Sequence, residues 1–111
     1  MLELGVELFN GSEAPRMVAG LARTLGEPQV SVGAAAGSSG ELRVTVAWEL
    51  SWYQWGVDLD RGPRGVALLG KGGEISELDG AARVWNGGIA GDGFLHLGRS
   101  PRRAPRRRRL W

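Results

Sequence analysis

The sequence predicts an α+β fold: a small single domain whose antiparallel sheet carries one main helix on one face, in the order β-α-β-β-β-(α)-β. Three observations lead there. One segment has both the start and the stop signals of a helix, several others alternate apolar and polar residues with period two, and the connections between them are of hairpin size. The chain's 111 residues suit one domain with one modest core.

Residues 2–9 alternate. Leu2, Leu4, Val6 and Leu8 share one parity, and Glu3, Gly5 and Glu7 the other. That pattern predicts a half-buried strand ended by Asn10-Gly11. The helix follows over 13–25. Ser12 suits its N-cap, because a hydroxyl accepts from an amide of the first turn. Glu13 complements the positive helix end, and Pro15 falls where a missing N–H costs nothing. Met17, Leu21 and Leu25 repeat at i, i+4, i+8 with Val18 and Ala22 beside them, while Arg16 and Arg23 face away. Gly26 and Pro28 stop the helix.

"QVSVGAA" is a short strand carrying Val30 and Val32, and "GSSG" at 37–40 a flexible turn. The long segment "VTVAWELSWYQWGVDLD", residues 44–60, holds four of the chain's eight aromatics. Val44, Val46, Trp48, Leu50 and Trp52 are even; after Trp52 the parity flips to Tyr53, Trp55, Val57 and Leu59. A one-residue slip exchanges the faces of a strand, and a β-bulge is the usual cause. Residues 42–59 are therefore expected to form one bent strand, or two collinear ones, bulged near Trp52-Tyr53. All four aromatics then face one core; without the bulge, Tyr53 and Trp55 emerge on the opposite face.

"DRGPRG" at 60–65 is a turn, "VALL" at 66–69 a buried strand and "GKGG" another turn. In "EISELDGAARVW", Ile75 and Leu78 have helical spacing and Asp79 can cap a turn running to Trp85. Asp92-Gly93 gives a hairpin signal before a final strand at 94–97.

The net charge of +2 conceals a segregation. Residues 1–98 hold twelve acidic and seven basic residues, a balance of −5. Residues 99–111 hold seven Arg and no acid, a balance of +7. The organisation is an acidic α+β domain, 1–98, and an Arg-rich tail, 99–111, whose like charges and prolines predict a disordered arm. Thirteen of the fourteen basic residues are Arg, which together with 19 Gly points to a GC-rich bacterial coding sequence. With no cysteine there is no disulfide, thiolate metal site or cysteine nucleophile. The opening "MLELGVELF" does not read as a secretory signal, and no apolar run approaches the ~20 residues of a membrane span. The expected location is cytoplasmic.

Arg99, Arg102, Arg103, Arg106, Arg107, Arg108 and Arg109 match phosphates, which guanidinium groups bind bidentately with release of counterions. Solubilisation, folding back on the acidic domain and unselected read-in sequence are the competing accounts of the tail. Leu110 and Trp111 add a further pair, an anionic membrane surface and a partner groove. Tyr53 and Trp55, with Asp58 and Asp60 beyond them, are the candidate partner or ligand surface; core packing or a homodimer interface is the simpler account of the two aromatics. Only acids stand among these aromatics, which argues against a nucleic-acid platform there.

"GVALLGKG" nearly matches a phosphate loop but lacks the metal-binding hydroxyl and reads as strand. "DLDRG" opens like a calcium loop whose twelfth position is Leu69. His96 is the only histidine, so no multi-histidine metal site and no cofactor is expected. Asp58 and Asp60, two apart on a strand, share a face and can position a water. The expected function is a non-catalytic binding or regulatory module contacting nucleic acid non-specifically through its tail. The alternative is a protein-interaction module, inhibitor- or immunity-like, using the acidic surface. A third is a small-ligand binder or enzyme with a Trp-lined pocket.

Overall fold

A computed structural model of the chain describes residues 2–35 and 40–98. It is an α+β domain in which two helices lie on one face of a six-stranded, wholly antiparallel sheet. The helices are α1, Leu2–Asn10, and α2, Ala14–Leu25. The strands are β1, Gln29–Ala34; β2, Glu41–Trp48; β3, Ser51–Asp58; β4, Val66–Gly72; β5, Gly87–Ile89; and β6, Leu95–Leu97. Their order across the sheet is β4-β3-β2-β1-β5-β6.

The main helix ends as expected at Gly26 but begins one residue later than expected, with Glu13 rather than Ser12 at its N-cap position. Ser12 Oγ accepts from the N–H of Ala14 at 3.1 Å and donates to the Phe9 carbonyl at 2.6 Å. Gly26, at φ 91°, donates its N–H to Ala22 O. The helix is rolled relative to the expected stripe: Ala14 and Val18 are buried, Leu21 and Ala22 pack against the core, and Met17 and Leu25 are exposed.

Residues 2–10 are helical, contrary to the expected strand. Leu2, Val6 and Phe9 lie on one helical face at i, i+4, i+7, and Phe9 is fully buried while Leu4 is 45 % exposed. Over nine residues the period-2 and period-3.6 patterns overlap, and Leu and Glu favour the helix. Gly5 lets α1 settle on the sheet, since a Cβ there would collide with the Leu42 side chain.

The aromatic segment is a hairpin, contrary to the expected bent strand. Glu49 and Leu50 form a two-residue turn between β2 and β3, with Trp48 opposite Ser51 and Val44 opposite Trp55. Each even residue of β2 meets an odd residue of β3, so the parity flip is the reversal of the chain itself. Neither turn residue takes a positive φ, so the turn lacks the Asn-Gly chemistry that advertises a hairpin. Val44, Val46 and Trp48 therefore share the helix-covered face with Tyr53, Trp55 and Val57. Val30, Val32, Ile89 and Leu95 extend this core.

Trp52 alone of the four aromatics lies on the other face. A bulge does occur, in β4: Gln54 pairs with Gly70 and Trp55 with Leu68, leaving Leu69 unmatched. β4 is the exposed edge of the sheet rather than a buried strand, with Leu68 44 % and Leu69 48 % accessible. On the other flank, the Asp92-Gly93 region joins β6 to β5, a strand too rich in glycine to be recognised beforehand. Gly93 sits at φ 87° with its Cα against the Pro15 carbonyl, so only glycine fits there. Asp79 does cap a short 3₁₀ turn, Gly80–Arg83, accepting from Ala82 N–H at 3.0 Å.

Two asparagine side chains complete the hydrogen bonding. Asn10 donates to Leu95 O at 2.9 Å and accepts from Leu95 N–H at 2.8 Å, clasping α1 to β6. Asn86 does the same for Val32, at 2.9 and 2.8 Å, just where β5 stops pairing with β1. Each amide offers one donor and one acceptor, as a neighbouring strand would.

The helical register of α1 makes opposite demands on Phe9, which it buries, and Leu4, which it exposes. Phe9→Ala should lower unfolding stability by about 3–5 kcal/mol, and Leu4→Ala by less than about 1 kcal/mol, as read from denaturant unfolding. A strand over 2–9 with Leu2, Leu4, Val6 and Leu8 inward would make Leu4→Ala the costly change.

Candidate functional site

The β2–β3 hairpin places its aromatics in a ladder. Trp48 and Tyr53 meet edge to face at 6.1 Å, Tyr53 and Trp55 stack at 6.3 Å and 28°, and Trp55 meets Phe9 edge to face at 5.5 Å. Trp48 Nε1 donates to Gly26 O at 2.7 Å, joining the hairpin to the end of α2. Trp55 is only 3 % exposed and Tyr53 is half-buried. Of the candidate surface pair, Trp55 thus belongs to the core, and only its edge reaches a groove.

That groove runs between the start of α2 and the β4 edge. Trp55 lines it with Met17, Val66, Leu68 and Pro63, and the charged residues Glu13 and Arg64 also border it. Its wall continues into β4, whose Leu68 faces the groove while Leu69 packs over Gly56 on the other face. Edge strand and groove together form an apolar surface bounded by charge.

Asp58 and Asp60 do not share a strand face. β3 ends at Asp58, whose Oδ1 accepts from the N–H of Asp60 at 3.0 Å and so closes the following turn. Asp60 is exposed. His96 lies in β6 with its imidazole against Gly88 of β5. Among the described residues, no group of three or more His, Asp or Glu side chains is placed to hold a metal ion, and no helix is long and apolar enough to cross a membrane. Arg99, Arg102, Arg103, Arg106, Arg107, Arg108 and Arg109 lie outside the described residues.

The face of the sheet away from the helices was not singled out in the sequence. There Trp52 lies against Gly72, and its Nε1 donates to Glu74 O at 2.9 Å and Glu77 Oε1 at 3.0 Å. Beside it, a small cavity opens around Arg43 and is roofed by the Asp79–Ala82 turn. Trp85, the one non-glycine described residue with positive φ, donates its N–H to Ser31 Oγ at 2.7 Å and so anchors the end of this roof.

Comparison of the chain with known protein families, with curated proteins and with solved structures finds no match.

The hairpin geometry separates scaffold from surface. Trp55→Ala should cost about 3–5 kcal/mol of stability, while Asp60→Asn should change it by no more than about 0.5 kcal/mol; thermal and denaturant unfolding of the two variants checks both.

Proposed function

We propose that the chain is a non-catalytic protein-interaction module that docks a partner strand along β4. The observation that supports this reading is the exposed, unpaired edge of β4, with Leu68 and Leu69 accessible on its two faces. An unpaired edge presents a row of backbone donors and acceptors to any extended chain. The adjoining groove of Met17, Val66 and Trp55 adds apolar surface beside it.

The partner this edge fits is a second copy of the chain. Val66–Gly72 contains one charge, Lys71. In an antiparallel self-pairing centred on Leu69, Lys71 lies opposite Ala67 and not opposite its own copy, so like charges do not confront each other. Such pairing has two-fold symmetry and uses the same patch on both protomers.

Sedimentation of the full chain should show a concentration-dependent dimer. Leu69→Pro removes an N–H and Leu68→Lys places a charge on the edge; both should give monomers with an unchanged far-ultraviolet spectrum. A full chain that stays monomeric at every concentration overturns the reading.

The charge segregation favours a second reading, in which Arg99, Arg102, Arg103 and Arg106 to Arg109 contact nucleic acid while the acidic domain stays clear of it. Here residues 1–111 should bind labelled DNA and RNA at about 50 mM salt and lose orders of magnitude in affinity by about 200 mM. Residues 1–98 should not bind under either condition, and equal binding by both chains would remove the tail from the account.

A further inference from the structure

Arg43 is the central residue of the sheet face that the helices leave bare. Its two cross-strand neighbours are both glycines, Gly33 on β1 and Gly56 on β3. Neither glycine has a side chain of its own; the space over Gly56 is taken by the Glu41 carboxylate and the Leu69 side chain, and that over Gly33 is open. The Arg43 Nε is buried and has no hydrogen-bond partner. A buried cationic donor without an acceptor is costly, and such a group accounts for itself when it meets an anion.

The space beside it has the size and lining for one. The cavity measures about 100 Å³ and is lined by Ser31, Thr45, Gln54 and Asp79 as well as Arg43. At about 30 Å³ per water, that is room for a group of a few heavy atoms. Ser31 and Thr45 are almost fully buried. Ser31 Oγ accepts from Trp85 N–H at 2.7 Å, and Thr45 Oγ1 accepts from Gln54 Nε2 at 3.0 Å. Both hydroxyls receive a proton from a fixed donor, so each has its own proton left to give. Guanidinium and two hydroxyls thus offer donors from one wall.

We infer that this cavity is a binding site for a small monoanionic carboxylate, held by the Arg43 guanidinium and the Ser31 and Thr45 hydroxyls. The planar guanidinium matches the two oxygens of a carboxylate. Asp79 supplies the discrimination. It lines the same cavity and keeps one oxygen, Oδ1, on Ala82 N–H. Its charge at the rim opposes a second negative charge on the ligand, which separates a carboxylate from a phosphate dianion. The site stands on a different face from the β4 groove and does not depend on how that edge is used.

The experiment is an NMR titration of the full chain with acetate, following the Arg43 Nε–H signal, at constant ionic strength set with chloride. Acetate should shift that signal saturably in the millimolar range and chloride should not. The Arg43→Gln variant should lose the saturable response seen in nearby backbone amides of β1 and β2. Thr45→Val should weaken acetate binding by about tenfold, the equivalent of one lost hydrogen bond. An Arg43 signal that does not respond to acetate, or that follows ionic strength alone, overturns the site. Equal or tighter binding of inorganic phosphate at a pH where it is a dianion overturns the carboxylate assignment. Because the first reading uses the unaltered chain, a variant that fails to fold does not shield the proposal.

Discussion

The pairing of β2 with β3 is the constraint on which the domain rests. With Trp48 opposite Ser51, every even residue of one strand faces an odd residue of the other. That single register gathers Leu42, Val44, Val46, Trp48, Tyr53, Trp55 and Val57 onto one side, where α1 and α2 cover them. It also consigns Arg43, Thr45, Trp52 and Gln54 to the other side. Slipping the register by one residue would turn one strand over against the other and split the apolar set between the two faces of the sheet. The aromatic contacts reinforce the choice, because Trp48, Tyr53, Trp55 and Phe9 meet in sequence only when the hairpin closes as it does.

The two sides of the sheet then follow different rules. The helix side is apolar and closely filled, with eight residues of the core cluster at 2 % exposure or less. The other side is built of small and polar residues, and its cover is the short 3₁₀ turn Gly80–Arg83 and the segment after it, fixed by side-chain bonds: Asp79 to Ala82, Trp85 to Ser31, Asn86 to Val32. Polar anchoring of this kind holds a roof in place without filling the space beneath it. The cavity at Arg43 is the outcome of that difference. The free edge of β4 sets a third environment, apolar but uncovered, at the border between the two sides.

Much of this was legible in the residues. The α2 boundaries followed from Ser12, Pro15, Gly26 and Pro28, each of which acts through local backbone chemistry that survives in any tertiary context. The common face of Tyr53 and Trp55 followed from parity. The reversal between β2 and β3 did not, because Glu49-Leu50 carries no glycine or asparagine and a turn without them looks like strand. α1 was hidden for a related reason: Leu, Glu and Val spaced over two turns satisfy both periods, and only the burial of Phe9 decides. The exposure of "VALL" depends on β4 being last in the sheet, which is a fact of topology and not of composition. Arg43 could not have been singled out either. Its surroundings depend on Gly33 and Gly56, which lie ten and thirteen positions away and become its neighbours only through the register.

The Asn10–Leu95 clasp has a consequence for the order in which the chain assembles. It joins residues 85 positions apart, so the first helix finds its last hydrogen-bonded partner only when almost the whole domain has been synthesised. At about 5–20 residues per second, that leaves α1 waiting for several seconds with Phe9 and the Asn10 amide uncommitted. The β2–β3 hairpin, which needs only local closure, can form well before. Seen along the time axis of translation, the domain grows outward from its middle, and the segment that emerges first is among the last to be locked.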